Sequence, residues 1–152
     1  MPDYRGSLIA GAVEIVDQGQ GRIRLAHVRD YSADSLHAFI ETTTAVDTIA
    51  RTDGWSAYRG APGGRHDPHV IGPVAAHIVL PWVHRVFSNL KRWTLGAYHS
   101  LRHKHLQSYL DEFVFRFNRR RTRHAAFKFL LGIGTRTKPV TYKMLIPPEA
   151  TG

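Results

Sequence analysis

The chain has no cysteine among its 152 residues, which excludes disulfides and any zinc site built on thiolates. No stretch of 18 or more apolar residues occurs, and the N-terminus, MPDYRGSLIAGAVEIV, lacks a basic segment followed by an uninterrupted hydrophobic run. Neither a membrane-spanning helix nor a secretory signal is therefore expected. No internal repeat is present. Acid is scarce in one half only: residues 81–152 hold 3 Asp+Glu against 14 Lys+Arg, whereas residues 1–80 hold 9 against 7. Together these absences predict a non-secreted, cytoplasmic protein. With 43% hydrophobic and 11% aromatic residues, its length suits one ordinary core.

What is there concentrates between His84 and Arg121, HRVFSNLKRWTLGAYHSLRHKHLQSYLDEFVFRFNRRR. Arg, Lys and His alternate with Trp, Phe and Tyr at helical spacing, so a stripe that can be buried runs beside one that must stay solvated. A polyanion is the partner that suits such a surface, because each phosphate neutralised releases condensed counterions.

The secondary-structure signals begin with two apolar runs, Ser7 to Val16 and Gly21 to Arg29, joined by DQGQG. They read as a β-hairpin closed by a loop longer than two residues. Ser32 offers an N-cap for a helix that places Leu36, Phe39 and Ile40 on one face. Thr48 to Asp53 reads as a short strand, with a turn or short helix at Gly54 and Trp55 and a crossover to a parallel neighbour. Residues 61–73 are rich in glycine and proline and read as a loop, with room for a minimal strand at His69 to Ile71. Val83, Phe87 and Leu90 mark a helix from Trp82. Leu106, Tyr109, Leu110, Phe113 and Phe117 mark another from Lys104, Gly96 lying near the break between the two. A short third helix, Ala125 to Leu131, is expected to stop at Gly132.

Several side chains invite a chemical reading, and each has a plain structural one beside it. Asp53 ends its predicted strand, where a carboxylate can hold a hard cation such as magnesium; it equally suits a cap on the helix that follows. His84 and Lys91, seven residues apart, share a helix face, as solvated basic residues commonly do. His66, His69 and His77 match no zinc spacing. Arg119, Arg120, Arg121 and Arg123 can contact phosphates, or complement the negative end of a helix. Glu14 reads as structural.

GAVE at Gly11 to Glu14, TDGWSAY at Thr52 to Tyr58, HRVFSNLKRW at His84 to Trp93 and HLQSYLDEFVFRFNRR at His105 to Arg120 resemble, in order and spacing, the catalytic domain of bacterial ISXO-like insertion-sequence transposases. The resemblance spans roughly residues 7–123. It implies a DDE-type enzyme of α/β class, with a ribonuclease H-like mixed sheet followed by basic C-terminal helices, over residues 1–131 and with a tail at 132–152. It implies two-metal phosphoryl transfer with Mg2+ or Mn2+, DNA as partner (transposon ends and target), location at the bacterial nucleoid and a homo-oligomer that brings two ends together. Carried over by position, Asp53 is a metal-ligating catalytic carboxylate and His84 stands where the family has its third ligand. Lys91, with Arg92 beside it, approaches the DNA end. Imidazole is a poorer magnesium ligand than carboxylate. The family's first catalytic aspartate precedes the GAVE strand, and Asp3 is the one residue here that could replace it, without the apolar strand residues that should lead into it. The chain therefore reads as a remnant lacking the first strand, with impaired catalysis. A noncatalytic DNA- or RNA-binding module is the alternative, and a small basic ribonucleoprotein component is a third reading.

Overall fold

A computed structural model describes residues 6–17, 19–53, 55–61, 66–68, 80–97, 103–139 and 144. The chain begins with an antiparallel hairpin, β1 (Leu8–Val16) and β2 (Gly19–Val28), followed by helix α1 (Ala33–Thr43). A second, parallel pair comprises β3 (Ala50–Thr52) and β4 (His66–Pro68), and three helices follow: α2 (Pro81–Ala97), α3 (Leu106–Asn118) and α4 (Arg123–Arg136). Single 3-10 turns sit at Ser56–Tyr58 and His103–His105. The architecture is mixed α/β. Among the described residues the strands form two separate two-stranded sheets, where the sequence suggested one mixed sheet. Each pair is closed by its own backbone ladder, and no ladder among the described residues joins them.

The hairpin connection is tighter than DQGQG suggests. Val16 pairs with Gly19, leaving only Asp17 and Gln18 between the strands. Asp17 takes the left-handed backbone, φ 48°, which two-residue hairpin turns require and which aspartate tolerates better than most residues. The register slips between Val13 and Ile15. At that bulge the exposed Glu14 carboxylate accepts the Arg22 backbone N–H at 2.9 Å, so Glu14 is structural, as its sequence context suggests.

Alternation along the hairpin gives it two buried faces. Ile9 and Val13 of β1 join Ile23 and Leu25 of β2 against Val86, Leu90, Leu106, Leu110 and Phe113 from α2 and α3. Ala10 and Val28 on the opposite face meet Phe39 and Ile40 of α1, with Tyr58 and Ala61 at the margin. The hairpin is thus the middle layer between α1 on one side and α2 with α3 on the other. That double burial explains why LIAGAV reads as a continuous apolar run rather than an alternating one. Gly11 lies under α2: a Cβ there would sit 2.8 Å from Phe87 Cζ and 3.0 Å from Leu25 Cδ2. The glycine of GAVE is what lets helix and strand approach.

Local signals account for the starts of α1 and α2, whereas α3 and α4 begin without a side-chain cap. Ser32 caps α1, its Oγ accepting the Ser35 N–H at 3.3 Å. The Asp30 carboxylate in turn accepts from the Ser32 N–H, the Ser32 hydroxyl and the Ser35 hydroxyl. These hydrogen bonds, first among them those from the serine hydroxyls, hold Asp30 down to about 2 from an ordinary 3.8. Pro81 opens α2 at the position where a missing N–H costs nothing. The minimal strand lies at His66–Pro68, earlier than the β-branched residues suggested, because a parallel ladder is set by backbone groups and Pro68 can end one without donating. His69 to Ile71 lie outside the described residues, as do His77 and Asp3. Helix α4 passes Gly132 and ends only at Arg136. Gly132 does not end the helix, because the i→i+4 ladder continues past it to the Thr137 N–H, which donates to the Ile133 carbonyl at 2.9 Å.

Two outcomes follow. Gly11→Ala, placing a methyl against Phe87, should lower stability by about 1–3 kcal/mol in denaturant unfolding, and an unchanged midpoint would show that α2 does not sit on this strand. The Asp30 carboxyl should titrate near 2 by NMR. Because its folded value is depressed, its contribution is present above 3.8 and is lost as pH falls from there through about 2; a midpoint near 3.8 would contradict the serine bonds.

Candidate nucleic-acid interface

Helix α2 buries Val86, Leu90 and Thr94, at i, i+4 and i+8, and Trp93 stacks on Phe113 of α3 with centroids 5.4 Å apart. Burying that stripe turns the other side outward. His84, Arg85, Lys91 and Arg92 are all exposed, and the helix contains no acidic residue. Arg85 lies over the Trp82 ring at 5.0 Å, which orients its guanidinium while leaving it at the surface. The outcome is an acid-free face on which Leu95 is exposed among the cations, on a helix seated on the main core.

The arginine run after Asn118 divides into different jobs. Arg120 turns back onto the hairpin: its guanidinium donates to the Gln20 carbonyl at 2.9 Å and the Phe117 carbonyl at 3.0 Å, and lies 4.2 Å from the centroid of the Phe117 ring. Burial, then the neighbouring charge of Arg121, lowers its pKa. The structure therefore gives Arg120 a structural clamp where the sequence offered a phosphate contact. Arg119 is held between two rings, 4.0 Å from Phe115 and 4.3 Å from Phe129. Arg121 is exposed. Arg123 begins α4. On α3, Arg116 pairs with Glu112 at 2.8 Å, a largely exposed i, i+4 bridge of small energetic weight.

Two side chains that the sequence did not single out prove decisive. Asn118 accepts the Ile23 N–H at 2.8 Å through Oδ1 and donates to the Ile23 carbonyl at 3.1 Å through Nδ2. Gln107 accepts the His27 N–H at 2.9 Å and donates to Asp111 at 2.8 Å. With Arg120 on Gln20, side chains of α3 and the turn after it satisfy the outer edge of β2 over most of its length. Their spacing carried the signal: Gln107 and Asn118 are eleven apart, three helical turns and ~16 Å along one face.

Asp53 is exposed just beyond β3. Its Oδ1 accepts the Trp55 N–H at 3.3 Å, an Asx turn, whereas the sequence suggests a cap on the following helix, whose N-cap is Trp55 without a side-chain bond. The Tyr58 hydroxyl is pushed up to about 12, by burial first and by the charge of Asp53 second. Asp53 thus belongs to the segment whose Tyr58 packs on the α1 side of the hairpin, whereas His84 and Lys91 ride on α2, which covers the other side. Among the described residues no group of three or more His, Asp or Glu is assembled that could hold a metal ion. Among them, too, no helix is long and apolar enough to cross a membrane.

Asn118→Ala should cost about 1–3 kcal/mol in chemical unfolding, since it leaves both backbone groups of the fully buried Ile23 unpaired. A loss below half of that would mean water replaces the amide.

A family model described as the ISXO2-like transposase domain matches residues 5–118, ending on the residue that closes the edge of β2. No curated protein matches the chain, and no solved structure does. The matched span takes in both faces of the hairpin, the Asp53 turn, the cationic face of α2 and all of α3, three quarters of the sequence. By that match the chain belongs to the ISXO2-like transposase domain family.

Proposed function

We propose that this protein acts on DNA as an insertion-sequence transposase with impaired phosphoryl transfer, working at the bacterial nucleoid and as a homo-oligomer that can hold two DNA ends. The family match over residues 5–118 carries the reading, and the acid-free exposed face of α2 supports it. In this reading Lys91 and Arg92 meet the phosphates of the DNA end, Arg121 and Arg123 extend the cationic track, and Arg119 and Arg120 hold the turn that presents them. By position in the family's pattern Asp53 and His84 would be the metal-facing groups, although they ride on segments that pack against opposite faces of the hairpin. Bound Mg2+ or Mn2+ would supply Lewis-acid polarisation of the phosphoryl oxygen and a more acidic water.

The donor set fits that role poorly. One oxygen of Asp53 already accepts the Trp55 N–H, and the second donor is an imidazole, which a hard cation takes less readily than oxygen. The described residues gather no third ligand. Weak metal affinity with retained DNA binding is the expected combination. The Asx turn at Asp53 also favours a second reading, a noncatalytic DNA- or RNA-binding module, in which that carboxylate has no chemical role.

Strand transfer on a transposon-end oligonucleotide, with Mg2+ or Mn2+, tests the proposal. Little or no joined product is expected, while the same duplex is retained by the protein in a salt-dependent way. Robust joining abolished by Asp53→Ala would overturn the impaired-catalysis reading. Binding of Mn2+ that disappears in Asp53→Ala would separate a weak enzyme from the noncatalytic module.

A further inference from the structure

Helix α4 lies beyond the family-matched span and presents apolar side chains that the fold does not cover: Phe127 is 66% exposed, Leu131 53% and Leu130 50%. Their i, i+3, i+4 spacing sets them on one stripe. The helix is held to α3 through Phe129, whose ring stands 6.5 Å from that of Phe115 with the Arg119 guanidinium against both. Phe129 is itself 51% exposed, and Phe127, two positions earlier and ~200° around the helix, presents its ring away from that contact.

Charge selects the occupant. Residues 113–148 contain no aspartate or glutamate and nine Lys+Arg, and Lys128, next to Phe127, and Arg121, just before the helix, are exposed. A second copy would bring this stripe against its own cations, and like charges facing each other oppose that pairing. The complementary partner is anionic and offers flat apolar faces. Duplex DNA offers the charge but keeps its bases stacked inside; unpaired DNA offers both, and aromatic side chains set among cations are how proteins hold it.

We infer that α4 is a site for unpaired DNA, in which Phe127 stacks on a base while Arg121 and Lys128 meet the flanking phosphates. The inference rests on the DNA-acting reading above and adds to it a ligand and a helix that the family match does not reach.

Fluorescence anisotropy with the full chain, comparing a labelled single strand with the duplex of the same sequence, tests it. Phe127→Ala should weaken single-strand binding about ten-fold and leave duplex binding unchanged; Phe127→Tyr, which keeps a stacking face, should restore it. Lys128→Gln should weaken binding and flatten its salt dependence. Phe127 is exposed, so truncating it leaves the core intact, and circular dichroism of each variant checks that helix content is kept. Unchanged single-strand affinity in Phe127→Ala, or an equal loss on both DNA forms, overturns the site while leaving the transposase reading standing. A dimer in sedimentation that Phe127→Ala dissolves overturns it in favour of a second copy. Failure to bind either DNA form sinks the transposase reading and this site with it.

Discussion

A β-strand placed at the edge of a sheet and then covered by a helix has a row of N–H and C=O groups that neither water nor another strand can satisfy. In this protein that edge is β2, and α3 meets it with side-chain amides and a guanidinium: Gln107 at His27, Asn118 at Ile23 and Arg120 at Gln20. At the buried Ile23 a group left unpaired would cost about 1–3 kcal/mol, a large fraction of the stability of a small domain. The bonds therefore fix where α3 lies along the strand, and Leu106, Leu110 and Phe113 reach the core only in that register. Trp93 stacks on Phe113 and brings α2 with it. The outward aim of His84, Lys91 and Arg92 is a downstream result of an edge being closed.

The same constraint divides the positive charge. The basic half of the molecule is not a uniform surface waiting for an anion. Arg120 is drawn inward by backbone carbonyls and Arg119 is stacked between rings of α3 and α4, whereas Lys91, Arg92, Arg121, Lys128 and Arg136 face solvent. An arginine run is thus a poor guide to phosphate contacts taken residue by residue. A guanidinium has several donors in one plane and stacks well, so it serves structure as readily as recognition.

Asp53 shows how one side chain can serve two accounts. Its oxygen closes an Asx turn, which needs a carboxylate just after a strand, and a metal site of this enzyme class asks for a carboxylate in the same place. Local geometry satisfies the first demand with Trp55 alone. The second demands further ligands from other elements, and the described residues do not bring three together.

The elements themselves were legible in the sequence because their causes are local. Ser32 caps α1 as its position foretold, Leu36, Phe39 and Ile40 face the core, and the 3.6-residue spacing marked α2 and α3. Composition alone fixed the acid-poor C-terminal half, and four strings carried the family. What escaped had distant causes: the two-residue turn at Asp17 depends on a pairing register, the length of α4 on which conformation wins at Gly132, and the strand at His66–Pro68 on where β3 offers backbone groups. The roles of Gln107, Asn118 and Arg120 depend on a strand more than eighty residues away in the chain. Side-chain type limits what a residue can bond to. Only the packed fold supplies the partner, because the unpaired groups of β2 exist as a demand once α3 has excluded water from them.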